Sequence, residues 1–275
     1  MKRADGVRVT NETPMYYLLP HILPKRYDSM NMCTVDIPLS PMQEYRNKKR
    51  KEGIQISHLA LVLCAYMRAV EKFPALNRFI ANKRIYQRNE VCAAMVVLRP
   101  GHKKDDTFAK IYFDPKNDTI FDVEKKVDDY INSTRDVNNT NSLDKIMALI
   151  MKFDFLVSGI CNILRFADKH GLLPKAIIDA SPFHATLLIT NLASIRTNHI
   201  YHHVYEFGTT SVAIAMGNPR EVPRTVRGEV KLERCIPLGL VMDERICSGH
   251  YFAEVFAFVK DLLKHPEKME VPLQD

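Results

Sequence analysis

The side chains best suited to chemistry cluster near the C-terminus, where residues 243–252 read DERICSGHYF. A strand-like run ends at Met242 and a helix-like run starts at Tyr251, so the stretch forms a polar corner between them. Such a corner can hold a reactive group at the end of a sheet, and Gly249 would supply backbone freedom if the turn requires a positive φ. A carboxylate acts as general base toward a thiol only when burial makes it more basic than it is in water. Glu244 is an acidic residue of the corner, and a cation such as the adjacent Arg245 would oppose that effect. Imidazole needs no such help, because its ordinary pKa of about 6.5 lies near working pH. His250, at the start of the helix-like run, and His202, beside His203, are therefore further candidate bases. Cys247 is read as a packing residue rather than a nucleophile. Thr190 ends the apolar run HATLLIT, where its hydroxyl can satisfy nearby backbone. No His, Cys, Asp or Glu cluster has the spacing of metal ligands and no glycine-rich phosphate loop occurs, so no metal is expected.

The elements that must position these groups follow from periodicity. Residues 1–30 are expected to be an irregular N-terminal arm, with Pro14, Pro20 and Pro24 breaking any helix. A strand is expected over 32–37 and a short basic helix over 41–52. The basic run 46–51 is read as a solvated helix face rather than a phosphate contact. Ser57 is a candidate N-cap for a buried helix to about Phe73, with Leu59, Leu63, Tyr66 and Val70 on one face. Strands are expected over 84–87, 91–98 and 107–113, the middle one apolar throughout, as for a strand covered on both faces. An amphipathic helix spans 120–133, and an apolar helical insertion occupies 143–182, irregular from Leu172 onward. Strands follow over 184–190, 209–216 and 229–242, with Pro237 and Gly239 as bulge points in the last. A final helix buries Phe252, Val255, Phe256, Val259 and Leu263. The pattern is that of a mixed α/β domain over 31–270.

With 275 residues, 46% hydrophobic and 26% charged, the chain has ample core material. A formal charge of +7 suits an anionic ligand but is not the footprint of a nucleic-acid binder. Six scattered cysteines without a C-x-x-C pair read as reduced thiols of a cytoplasmic protein. The polar N-terminus carries no secretory signal. Residues 146–166 are long enough to span a membrane, but Lys152, Asp154 and Arg165 interrupt them, and a central charge costs about 2.5–3.5 kcal/mol on insertion. A buried or interface helix is expected there, with a membrane-surface role for lipid-like acyl groups as a minor reading.

Four places together resemble a known family. They are Asp36-Ile37-Pro38-Leu39 with Arg46 ten residues on; the helix from Ser57 followed by Pro74-Ala75-Leu76-Asn77; Ile189-Thr190-Asn191-Leu192 with the run TTSVAIAMG; and the corner at 243–249 with its helix. In that order they resemble the catalytic domain of the dihydrolipoyl acyltransferases of 2-oxoacid dehydrogenase complexes, within the chloramphenicol acetyltransferase-like superfamily. The resemblance implies an α/β, two-layer, chloramphenicol acetyltransferase-like fold with a central mixed sheet. It implies a homotrimer with active sites at subunit interfaces and coenzyme A or an acyl-CoA as ligand. It also implies a histidine that takes a proton from the attacking thiol or hydroxyl, a serine that hydrogen-bonds the oxyanion, and a structural aspartate. No lipoyl or subunit-binding module is recognised ahead of the domain, so a free-standing version is expected.

The departures bear on function. The family's His-x-x-x-Asp-Gly falls on Glu244, Ser248 and Gly249, so only the glycine is kept. Thr190 stands at the oxyanion serine and Asn191 is retained. Asn191, Ser248, Gly249 and Arg245 are expected to shape the channel. Two expectations follow: a non-catalytic or binding homologue that lacks the usual base, or an active coenzyme A-dependent acyltransferase that uses Glu244, His250 or His202 as base with Thr190 at the oxyanion.

Overall fold

The computed structural model describes residues 3–98, 106–135, 157–226 and 228–273. A seven-stranded mixed sheet forms its centre. Its strands are β2 (Met30–Pro38), β5 (Val91–Leu98), β6 (Asp106–Phe113), β7 (Leu187–Asn191), β8 (Val212–Met216), β9 (Arg220–Val226) and β10 (Glu229–Asp243). The order is β2-β10-β8-β7-β5-β6, with β9 paired to the first half of β10. β7 runs parallel to both β5 and β8, and the other pairings are antiparallel. A smaller antiparallel sheet joins β1 (Gly6–Arg8), β4 (Arg84–Arg88) and β3 (Arg78–Ala81). The hairpin between β3 and β4 turns on Asn82 and Lys83, both at positive φ, as a two-residue primed turn requires.

Helices cover one face of the large sheet. α2 (Leu39–Lys51), α3 (His58–Lys72), α4 (Ile120–Arg135) and α7 (Gly249–Lys264) pack their apolar stripes on inward residues such as Ile37, Leu187, Ile189, Ile214, Leu238 and Leu240. Ser57 caps α3 as expected, its hydroxyl accepting from the Ala60 N–H at 3.0 Å. The basic run of α2 is not wholly solvated: Lys49 is buried and paired with Glu52 and Glu270 at 2.9 Å each. The opposite face carries a thinner layer in which Leu188, Ala213 and Val241 pack against Ala185 and Val204. Strand alternation assigns neighbours to opposite faces, so Ile189 enters the main core while Leu188 and Thr190 face the other way.

Several expectations are corrected. The first thirty residues are not irregular: they hold β1 and the helix α1 (Pro14–Ile22). Pro14 occupies the first turn, where its missing N–H costs nothing, and Pro20 removes a single bond near the end. Residues 172–182 likewise contain a short helix, α6 (Lys175–Ala180), after α5 (Val157–Lys169). Strand β10 has no bulge at Pro237 or Gly239, since its register with β2 runs without a skip from Cys235↔Pro38 to Asp243↔Met30. Of the apolar insertion, residues 136–156 lie outside the described residues. Among the described residues no helix is long and apolar enough to cross a membrane.

Candidate functional site

Thr190 lies at the end of β7, in register with Ala215 of β8, which is in register with Gly239 of β10 and so with Thr34 of β2. These four residues form a row across the sheet on the face away from the helices. The Thr190 Oγ1 and the Asn191 Oδ1 are both buried and make no hydrogen bond among the described residues. Buried polar atoms are normally paired, and exceptions mark strain or a site for a ligand. The hydroxyl is therefore not spent on backbone, the alternative role weighed from the sequence.

The chain after β7 doubles back over this row. A short 3-10 turn, Leu192–Ile195, ends at Arg196 in the left-handed region, and residues 198–201 then cross the sheet. Two glycines admit them. A Cβ on Gly239 would lie 2.2 Å from the Ile200 carbonyl oxygen, and one on Gly217 would lie 2.3 Å from the His199 nitrogen. His199 is thereby seated on the sheet, its Nε2 at 2.9 Å from the Thr34 hydroxyl, which is also 2.7 Å from the Tyr201 hydroxyl. The Nδ1 is buried and unpaired. Burial, and then Arg220, lower the His199 pKa from its ordinary value against the opposing charge of Asp36, so the ring is neutral at physiological pH. Sequence reasoning passed over this histidine in favour of His202 and His203. The signal was available only indirectly, as a glycine just past the end of β8 and another inside the apolar part of β10.

His202 lies elsewhere. Its Nδ1 is 3.1 Å from the His203 carbonyl oxygen, its ring meets Tyr205 edge-on, and it lines an open surface hollow with Tyr27. His250 is exposed on the first turn of α7, with its ring 3.6 Å from Glu254. Neither is brought toward Thr190.

Glu244 begins the turn after β10, on the β2 side of the sheet. Its backbone N–H donates to the Ser29 carbonyl at 2.9 Å and its carboxylate accepts from the Asn31 Nδ2 at 2.9 Å. Among the described residues it forms no ion pair. Arg245 does not oppose it as expected, because its guanidinium is committed to Asp243 through two bonds of 2.8 and 2.7 Å and to the Leu23 carbonyl. Asp243 is fully buried and also serves Arg26 at 3.5 Å and Ser29 at 3.1 Å. Ser248 is exposed and caps α7 by accepting from the Tyr251 N–H at 3.1 Å. Gly249 is exposed and has no positive φ, and a Cβ there would meet open space, which overturns the reading of it as a strained corner. Cys247 is buried, and that burial pushes its thiol up to about 12, as befits a packing residue. Among the described residues no cluster could hold a metal.

Within one chain Thr190 and Glu244 stay apart. From Gly239, in register with Thr190, to the end of β10 is roughly 13 Å at 3.3 Å per residue, and the two intervening strand spacings add about 10 Å sideways. The 2-oxoacid dehydrogenases acyltransferase (catalytic domain) family model matches residues 184–271, a stretch that contains Thr190, His199 and Glu244. No curated protein sequence matches the chain. Among solved structures, a probable dihydrolipoamide acetyltransferase from Listeria monocytogenes superposes with a TM-score of 0.61 at 14% identity, covering 96% of this chain and 99% of that one. An Azotobacter vinelandii dihydrolipoamide acetyltransferase, studied for the roles of a serine, a histidine and an asparagine in its catalytic mechanism, gives 0.59 at 14% identity over 95% and 94%. A chloramphenicol acetyltransferase gives 0.57 at 10% identity over 94% and 99%. The chain therefore has the chloramphenicol acetyltransferase-like fold over nearly its whole length, and residues 184–271 carry the sequence pattern of the acyltransferase catalytic domain. The resemblance read from the sequence is borne out.

Proposed function

We propose that this acyltransferase-fold chain binds coenzyme A or an acyl-CoA along the Thr190 row but does not transfer the acyl group by the family's histidine mechanism. The observation that carries this reading is Glu244. It takes the motif histidine's place, and its carboxylate is hydrogen-bonded to Asn31. A carboxylate is by nature about four pK units less basic than a thiol, so it removes a thiol proton poorly unless strongly desolvated. Here it sits half-buried at the mouth of a turn. The one histidine of the corner, His250, is exposed.

Retention of binding is supported by the unpaired Thr190 and Asn191 side-chain oxygens. The Thr190 hydroxyl is the group that donates to a thioester carbonyl or its oxyanion. A homotrimer accounts for the separation of Thr190 and Glu244: each channel would take Thr190 from one protomer and the Glu244 turn from the next. Calorimetric titration tests this reading. Coenzyme A should bind the parent protein and bind less tightly to Thr190→Val, and a parent that binds no coenzyme A contradicts the proposal.

One observation favours a second reading, an active enzyme. His199 has an Nδ1 without a partner among the described residues, on the same sheet face as Thr190 and two to three strand spacings, about 10–14 Å, from it. A base at that position would support turnover that survives Glu244→Ala and is lost in His199→Gln.

A further inference from the structure

Just past the C-terminal end of β10, five separate parts of the chain converge on a cleft of about 420 Å³. Its walls carry Lys25, Lys83, Arg165 and Lys169, supplied respectively by the segment after α1, the β3–β4 turn and, for the last two, one face of α5. All four side chains are exposed, and none makes an ion pair or hydrogen bond among the described residues. Its floor carries two buried arginines, Arg26 and Arg245, which share the single carboxylate of Asp243.

The acidic residues at the cleft form no ion pair with the four wall cations among the described residues. Both oxygens of Asp168 are engaged: one by Arg3 at 2.9 Å and by His184 at 3.2 Å, the other by the Gly208 N–H at 2.9 Å. Glu206 accepts from the Arg26 backbone N–H at 2.7 Å and sits on the rim. Arg26 feels Glu206 and Asp168 as well as Asp243, so the floor is close to charge balance, beneath four cations that have no partner among the described residues. Clefts lined by one sign of charge between low-dielectric walls focus the field and concentrate counter-ions. Fork-shaped guanidinium groups beside flexible ammonium groups are the donors that suit phosphate oxygens.

We propose that this cleft is a binding site for a small molecule carrying two or more phosphate groups, separate from the Thr190 row. Its volume falls in the range of small-ligand pockets. Lys83, on the left-handed Asn82–Lys83 turn, brings its ammonium group to the cleft from a different element than Arg165 and Lys169 on α5, so that a polyphosphate would be held by two elements.

Inorganic pyrophosphate is the probe. At low ionic strength it should raise the melting temperature of the intact protein in a concentration-dependent way, and added salt should weaken the effect. The paired substitution Lys83→Glu with Lys169→Glu should weaken the pyrophosphate Kd by about tenfold or more, as removal of two charge-assisted contacts implies. Lys48→Glu with Lys51→Glu, on the exposed basic end of α2, should leave it unchanged. The neutral pair Lys83→Met with Lys169→Met gives the same reading should the charge reversal impair folding. No stabilisation of the parent by pyrophosphate overturns the proposal, as does equal weakening by the α2 variant, which would mark a general charge effect. The test variants leave Thr190 and Glu244 untouched, so a loss of pyrophosphate binding in them is assigned to this cleft and not to the coenzyme A site proposed along the Thr190 row.

Discussion

Asp243 holds the corner together from beneath. Its carboxylate, fully buried, satisfies Arg245 through two short bonds and Arg26 and Ser29 besides. Removing one partner of a buried ion pair strands the other charge and typically costs about 3–5 kcal/mol. Asp243→Asn should therefore destabilise the protein by an amount of that order in chemical denaturation, whereas Glu244→Gln, which keeps an oxygen for Asn31, should change stability by less than about 1 kcal/mol. The two neighbours thus divide the work: Asp243 with Arg245 is architecture, and Glu244 is the only acidic group of the corner presented toward solvent. From the sequence, Arg245 and Glu244 read as partners because they are adjacent. The turn that begins at Glu244 brings Arg245 back onto the strand end, and the pairing that forms is between 243 and 245.

At the scale of elements, α7 illustrates how a familiar motif can keep its glycine for no conformational reason. Ser248 is the cap and Gly249 the first helical residue, with open space where a Cβ would go. Ser248→Ala should lower stability by about 1 kcal/mol through the lost cap, and Gly249→Ala should raise it by about 0.5–1 kcal/mol through lower unfolded-state entropy. Opposite signs at adjacent positions in one thermal-unfolding series would check the assignment. The strands and helices of the core were legible because they obey a single period: β5 as an apolar run, α3 with its Ser57 cap, α7 with its stripe. The Thr190 position was legible through the strand end that precedes it. What was not legible depends on contacts between distant segments. Gly239 read as a bulge point in its strand, yet it and Gly217 serve as seats for residues 199 and 200. The prolines of α1 read as breakers, although one of them sits where a helix tolerates it.

Across the whole molecule, the N-terminal segment is tied to the sheet by a buried polar network. Arg3 bonds Asp5 and Asp168, and Asp168 bonds His184, whose Nδ1 is 2.8 Å from the Ser181 hydroxyl. Burial lowers the His184 pKa and outweighs the attraction of Asp168. For Asp168, burial acts to raise the pKa, but the bonds and charge of His184 and Arg3 prevail and hold it well below the carboxylate range. Both groups bind fewer protons when folded than when unfolded, so stability rises with pH wherever they titrate. The His184 contribution is complete above the unfolded histidine pKa of about 6.5 and erodes below it; that of Asp168 begins to fall below about 3.9. The melting temperature should therefore decline in two stages on acidification from pH 7. His184→Gln should flatten the first stage, and an unchanged profile in that variant would remove His184 from the account.

The most direct test of the account's central claim is release of free thiol from acetyl-CoA in the presence of dihydrolipoamide, followed for the parent protein and for Glu244→Ala. The account predicts coenzyme A binding without thiol release above the buffer rate in either protein. Thiol release by the parent that disappears in Glu244→Ala would make Glu244 a working base and contradict it.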